Sequence, residues 1–522
     1  MSSFISRLGN INPQILREYR GRLKPRSVFA AVGLSALFQL LLCFSITDGF
    51  DQVFPERLLD ICQALAWIMP YALFALGGYY IVDDLTNEAK TGTLNFVRLS
   101  PRPAREILLG KLLGAPALPL LLVVSAVPLF VITGLAAGLS IWLLLSYGIV
   151  MAFGTVAVYT AALVVGLGSG TSSLLKQRGV SAVSFAGLCL IAIAPVFMLW
   201  NTWYTWQTVV TGSALFRSWD PLIVEWFYLN ISGNPLLSHL FVLINLAIVS
   251  GLLWMIAVRK FRVPQSTLIS KQLSYGITAY GNLLGWGFLL NRELMDYERP
   301  GLLVMLYACN IALFFVLIFA LVPTRQTLLD WVNYRRQSMI QRNGRSSGWW
   351  RNMLWADGSP SIVAIAINFL IIAAVLLPLL VWLDRLNTDF QITAGAIAFT
   401  TISFLLSALT YAAIVQLIFS SRLRAPQVWA AGIVAILAIV PPIVLLTLGI
   451  YPDSYPDNGG GILWTFLGVP FIGKAATSVT WLSIVGLIGQ LCFLGFVLVQ
   501  MNNRLKGLAT HSYDTAALTE HI

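Results

Sequence analysis

Ile141-Trp142-Leu143-Leu144-Leu145-Ser146-Tyr147-Gly148-Ile149-Val150-Met151-Ala152-Phe153-Gly154-Thr155-Val156-Ala157-Val158-Tyr159-Thr160-Ala161-Ala162-Leu163-Val164-Val165-Gly166-Leu167 contains no Lys, Arg, Asp or Glu. A helix needs about 20 such residues to cross the roughly 30 Å hydrocarbon core of a bilayer. Blocks of this kind recur along the whole chain of 522 residues, which is 58% hydrophobic and 11% charged with a mean hydropathy of +0.79. An average soluble domain carries roughly 25% charged residues. An ordinary soluble protein is therefore excluded, and the expected fold class is all-α, a polytopic helical membrane protein.

Scanned with a window of about 19 residues, the chain gives a first set of spans at Val28–Ile46, Leu59–Val82, Ile107–Thr133, Ile141–Leu167, Val180–Leu199 and Leu240–Val258. A second set lies at Leu273–Leu290, Leu302–Val322, Ile362–Leu383, Ile392–Phe419, Val428–Ile450 and Val479–Val499, about 12 transmembrane helices in all. The seventh is the weakest, since it contains Tyr275, Tyr280, Asn282 and several glycines. Positive charge tests the count, because one missed span inverts every later loop. With the N-terminus inside, 27 of the 33 Lys and Arg residues fall on the inner side. Only Arg57, Arg217, Arg292, Arg299, Arg385 and Lys474 fall outside. Both termini are thus expected in the cytoplasm, with the chain in a plasma (inner) membrane.

The net charge of +11 then reports topology and anionic inner-leaflet lipid, and no nucleic-acid partner is expected. Ser45-Ile46-Thr47-Asp48 after the first apolar block is a poor cleavage site, so a retained span is expected there. Cys43, Cys62, Cys189, Cys309 and Cys492 all sit inside apolar blocks without paired spacing, which points to neither a disulfide framework nor a metal site.

Laid over the first six spans, the second six match in the kind of segment between them: a basic inner lead-in, a long inner loop after the second span, a short basic inner loop after the fourth and a long outer segment before the sixth. This predicts two parallel six-helix repeats about an axis along the membrane normal, with residues 1–262 and 263–502 as the halves and 503–522 as a cytoplasmic tail. The outer segment of the first half carries Trp203, Trp206, Trp219 and Trp226, rings that favour the headgroup level. Together with the short apolar run Ile462–Phe471 of the second half, it is expected to form interfacial or re-entrant helices over a central pathway.

Between the second and third spans, Asp83 through Glu106 begins acidic and ends basic. Asp83, Asp84 and Glu88 suit the N-terminus of a short inner helix, and Gly92 and Ser100-Pro101 divide the stretch into helix, turn and restart. Before the first span, Asn12-Pro13-Gln14-Ile15-Leu16-Arg17-Glu18-Tyr19-Arg20 makes an amphipathic helix: Ile11, Ile15, Leu16, Tyr19 and Leu23 share one face, and the arginines are expected to meet headgroups.

On these residues the chain resembles the ABC exporter permeases, six-span subunits that dock on a separate ATPase. The resemblance lies in Glu88, Gly92-Thr93-Leu94, Ser100-Pro101 and Ile107-Leu108-Leu109-Gly110-Lys111, in that order and spacing. It implies an ATPase-coupling helix built on Glu88, Gly92, Thr93, Leu94, Ser100, Pro101, Arg105 and Glu106, and an elbow helix with Pro13, Arg17, Glu18 and Arg20. It also implies ABC ATPase subunits as partners, with ATP and Mg bound by them and no cofactor bound by this chain. The likeness covers about Asn12 to Arg262. The second inner loop, Pro323 to Pro360, has no Gly-Thr-Leu signature and carries six arginines with Trp331, Trp349, Trp350 and Trp355. Whether one chain supplies both membrane halves or pairs with a second permease copy stays open, the duplication favouring the first.

No stretch fits the phosphate-binding G-x-x-x-x-G-K-[ST] pattern, so the chain is expected to be no enzyme. His239, His511 and His521 are too scattered for a metal site. Ion-driven carriers place ionisable groups at membrane depth, whereas here nearly every acidic residue lies in a loop or at a span end. An ion-coupled carrier or channel, and a non-transporting scaffold, are the alternatives to a permease. Gln39, Gln63, Asn310, Asn368, Gln416 and Gln490 are expected to join helices, leaving an apolar pathway suited to lipid-like or amphipathic cargo.

Overall fold

The computed structural model describes residues 12–47, 54–169, 180–198, 225–231, 234–290, 299–341, 353–385, 394–421, 423, 425–451, 459–468 and 481–519. Almost all of them are helical, and among them nine helices are long and apolar enough to cross a membrane, ten if one bent pair counts as a single span. The chain divides into two compact units, Met1–Val224 with Asn230–Pro264, and Glu225–Leu229 with Gln265–Ile522.

The first unit opens with α1 (Pro13–Arg22) and α2 (Pro25–Thr47). The second span is α3 (Phe54–Tyr71), a π-helical segment Ala72–Gly77 and α4 (Gly78–Thr91), forming one apolar run from Arg57 to Thr91. The irregularity follows Pro70, which has no N–H to give to the Ala66 carbonyl. In hydrocarbon that carbonyl needs another donor, and the Tyr147 hydroxyl supplies it at 2.6 Å. Then come α5 (Thr93–Arg98), α6 (Ala104–Gly114), α7 (Ala117–Ala136), α8 (Ile141–Ser169) and α9 (Val180–Leu188), which continues through a π-helical turn to Met198. The unit ends in α10 (Pro235–Arg262). Helix α8 lies between α4 and α10, and α1 packs on α6.

The expected third span is corrected. A single helix from Ile107 to Thr133 does not form; α6 stops at Gly114 and the spanning helix α7 starts at Ala117. Pro116 offers no N–H to the preceding turn, so the chain breaks there. Helix α6 packs on α1 instead, through the face that carries Gly110 and Gly114.

A two-residue hairpin, β1 (Glu225–Trp226) and β2 (Leu229–Asn230), precedes α10. The second unit comprises α11 (Lys271–Leu289), α12 (Arg299–Leu321), α13 (Arg325–Gln341), α14 (Ile362–Arg385), α15 (Ala394–Phe419), α16 (Pro426–Thr447), α17 (Gly459–Leu467) and α18 (Trp481–Thr519). Helices α15, α16 and α18 are long apolar spans, and α12 meets α13 at a bend of 65°. The 503–522 stretch expected as a tail continues α18 as helix to Thr519.

Helices α11 and α14 are not among the nine. In α11, Lys271, Ser274, Thr278 and Asn282 make one buried polar stripe. Asn368 of α14 donates to Ser274 Oγ at 3.0 Å and accepts from the Thr278 hydroxyl at 2.9 Å, while Asn282 and Asn310 of α12 exchange two amide bonds of 3.0 Å. Polar residues lower the helix's apolarity yet face protein. Gln416 and Gln490 act likewise: Gln416 Oε1 accepts from Ser361 Oγ at 3.0 Å, and Gln490 Nε2 donates to the carbonyls of Ser403 and Phe466. Replacing Asn368 by leucine takes away the acceptor of the Thr278 hydroxyl and the donor to Ser274, which keeps its bond to the Lys271 carbonyl, and is expected to cost about 1 kcal/mol, seen as a lower unfolding midpoint in detergent; an unchanged midpoint would count against this polar spine.

Candidate functional site

Helix α1 begins because Asn12 caps it, its side chain accepting from Gln14 N at 2.9 Å, with Pro13 preset in the first turn. The same Asn12 donates from Nδ2 to the Glu106 carbonyl at 2.7 Å and so pins α1 to α6. Contact is close because Gly110 and Gly114 face α1: a Cβ on Gly110 would sit 2.5 Å from the Gln14 side chain, and one on Gly114 2.5 Å from that of Glu18. Two small residues four apart let helix backbones approach.

That approach drives Lys111, between the two glycines, into the interior, where it is fully buried. Its ammonium lies 2.5 Å from Asp84 Oδ2, 2.9 Å from Glu88 Oε2 and 3.4 Å from Glu18 Oε1. Arg22 reaches Asp84 at 2.5 Å and Glu18 at 3.3 Å, and Arg17 reaches Glu88 at 3.2 Å. Three carboxylates and three cations from α1, α4 and α6 thus balance. Burial alone disfavours the Lys111 ammonium, but Asp84, Glu88 and Glu18, with the hydrogen bond to Asp84, outweigh it and hold its pKa above the ordinary 10.5. The carboxylates lie close enough to hold a metal ion, their ligand atoms within 4.8 Å of one another, and the ammonium takes that cation's place.

The expected short helix starting at Asp83 is corrected too. Asp83, Asp84 and Glu88 belong to the last turns of α4, which runs unbroken from Gly78 to Thr91. The helix dipole disfavours anions at that end, and Asp84 and Glu88, four apart on one face, repel. Lys111, Arg22 and Arg17 supply the compensation. Gly92 ends α4 in the left-handed region at φ 78°, a backbone few side chains adopt. Thr93 Oγ1 donates to the Glu88 carbonyl at 3.3 Å, Leu94 is buried, and α5 turns back toward Ser100-Pro101. At its tip Phe96 and Leu99 are 80% and 85% exposed. Arg105 is exposed, and Glu106 pairs with Arg102 at 3.3 Å.

Of the elbow residues, Glu18 is buried, while Arg17 and Arg20, three apart, are both exposed, Arg17 also reaching Glu88. Ile11 lies outside the described residues, as do Trp203, Trp206 and Trp219. Trp226 packs in the second unit and donates from Nε1 to the Leu284 carbonyl at 3.1 Å. Residues 342–352 of the second loop are likewise outside the described residues, while Trp355 meets Tyr275 edge-on at 6.0 Å.

The sequence places Asp84 in the loop and Lys111 at the entry to the third span without joining the two, and Arg22 is not expected at the site. A lysine inside Ile107–Leu113 and like charges four apart in α4 each require partners, and that need was the available signal. Comparison with family models, with curated proteins and with solved structures gives no match.

Exchanging Lys111 for methionine leaves buried carboxylates uncompensated, which is expected to destabilise the protein by about 3–5 kcal/mol. Adding Glu18→Gln should recover part of the loss in detergent melting curves; a stable single variant would refute the clamp. Because the folded pKa is raised, the ammonium's contribution is complete below pH 10.5 and fades only as pH climbs through the folded value.

Proposed function

We propose that the chain is the membrane-spanning permease subunit of an ATP-binding-cassette transporter, an exporter of a hydrophobic or amphipathic substrate driven by separate ATPase subunits. In this reading the twelve spans form two parallel six-helix repeats, residues 1–262 and 263–502, both termini are cytoplasmic and the membrane is the plasma (inner) membrane. One chain supplies both halves of the pathway, and ATP and Mg are bound by the ATPase.

The observation that carries the reading is the apolar tip on α5. Phe96 and Leu99 stand out from the end of a spanning helix on a six-residue helix fixed by the Gly92 turn. Exposed large apolar side chains at a polar surface mark interaction sites. The tip is also mechanically joined to the spans. Gly92 links it to α4, which continues into the second span, and the Ser100-Pro101 turn links it to α6, which leads to α7. The Lys111 cluster ties α1, α4 and α6 together. A push delivered by an ATPase at Phe96 therefore tilts spans two and three as one body, as a two-state gate requires.

The repeat reading has a parallel in the second unit. Lys271, at the start of that unit's first helix, is buried and donates to the Met353 carbonyl at 2.9 Å, to Ser359 Oγ and to the Pro360 carbonyl at 3.2 Å. In the first unit the buried lysine stands in α6, before α7, and reaches back to α1; in the second it stands at the start of α11 and reaches forward to the segment before α14.

The test is mild-detergent purification of the tagged chain from its native membrane, with its partners identified and ATP hydrolysis assayed. An ATPase is expected to co-purify, and Phe96→Asp with Leu99→Asp should lower its recovery roughly tenfold or more without changing the unfolding midpoint. Absence of an ATPase from both preparations, or flux driven by an ion gradient without ATP, would overturn the proposal.

A further inference from the structure

Within the second unit, α12 and α15 meet along faces of the same spacing. Helix α12 contributes Ile311, Phe314, Phe315 and Ile318, and α15 contributes Phe404, Ser407, Ala408 and Tyr411. Each set falls at i, i+3, i+4 and i+7, on one side of its helix. Between the two faces, bounded by Ala438 of α16 and by Leu467 at the end of α17, is a cavity of about 140 Å³. Ala408 and Ala438 leave this space, since their side chains stop at Cβ among rings and branched chains.

The surface the cavity presents is mostly apolar with a smaller polar part, and of its lining side chains only Ser407 and Tyr411 carry a polar atom. These two stand four residues apart on α15. Ser407 Oγ donates to the Phe404 carbonyl at 2.7 Å and, among the described residues, accepts from no donor. Gly468, at φ 69°, lets the end of α17 come close against that hydroxyl. The Tyr411 hydroxyl has no hydrogen-bond partner among the described residues. One neutral group that both donates and accepts would use the capacity left on each.

Volume and wall chemistry narrow the guest further. An apolar cavity of about 150 Å³ stays dry and takes benzene, so one ring fits here and a fused-ring molecule or a whole lipid does not. Four of the walls are themselves aromatic: Phe314 meets Phe404 edge to face at 5.5 Å between centroids, and Phe315 and Tyr411 lie 6.3 Å apart. Ring pairs contribute beyond the area they bury, which favours an aromatic guest over an alkyl chain of equal size.

We infer that this cavity is a binding site for a small amphipathic aromatic molecule, a single ring with one hydrogen-bonding group, the ring lying among Phe314, Phe315 and Phe404 and the polar group meeting Ser407 and Tyr411. The site is built wholly from the packing of the second unit and is independent of any ATPase partner.

The test uses the full-length chain in detergent, titrated with p-fluorophenol or fluorobenzene and read by fluorine NMR, with hexane as a competitor. Saturable binding of p-fluorophenol at one site per chain is expected, tighter than that of fluorobenzene. Ala408→Leu, which fills the cavity, should abolish it, and Ala438→Leu, which fills the same space from α16, should do so independently. The Ser407→Ala, Tyr411→Phe pair should weaken p-fluorophenol roughly tenfold, the scale of two neutral hydrogen bonds, and leave fluorobenzene unchanged. Absence of saturable binding, binding that persists in both filled variants, equal loss of the two probes in the hydroxyl pair, or displacement by hexane at a lower concentration than by fluorobenzene, as a groove for lipid chains would give, would each overturn the assignment.

Discussion

A single buried ammonium governs the arrangement at the base of the first unit. Lys111 has no access to solvent, and removing a charge from water is tolerated only when its partners are close and complete. Asp84, Glu88 and Glu18 meet that requirement only if α1, α4 and α6 converge on one point. The glycines on either side of the lysine make this convergence sterically feasible, and the lysine makes it necessary. Helix α1, which carries little apolar surface, is thereby held in place by charge geometry as much as by burial of Ile15.

The second unit uses a different chemistry at its own buried lysine. The Lys271 ammonium donates to carbonyls and a hydroxyl, while the Asp357 carboxylate accepts from the Lys271 backbone N–H at 3.3 Å and favours the nearby charge. With most of its donors taken by dipoles and one carboxylate nearby, this ammonium avoids the mutual repulsion that three converging carboxylates bring. The first arrangement fixes several helices against one another through long side chains; the second fixes a loop directly to a helix start. The first is a clamp between independent elements and the second a seam along the chain.

Composition made the helical, many-span character legible, since an uncharged block such as Ile141–Leu167 has few other uses. The division of Asp83–Glu106 at Gly92 and Ser100-Pro101 was legible as well, because only glycine readily takes the left-handed turn that ends α4. The direction of side chains was not. Hydropathy weighs Ser274, Thr278 and Asn282 as polar without knowing that Asn368 and Asn310 face them. The acidic start of the loop was equally ambiguous: a dipole at an N-terminus and a lysine 27 residues later can each stabilise Asp84, and only the fold brings the second into range. The break at Pro116 was visible as a proline but hidden by the apolar residues on either side.

The π-helical segment at Ala72–Gly77 has a consequence for orientation. A wide turn accommodates one residue more than an α-turn does, and one residue corresponds to about 100° of rotation about the helix axis. Everything from Gly78 onward is therefore out of phase with the helix above Pro70. The azimuth at which Asp84 and Glu88 meet Lys111 is set fifteen or so ångströms away along the axis, by a phase shift inside the apolar run and not by the polar residues that exploit it.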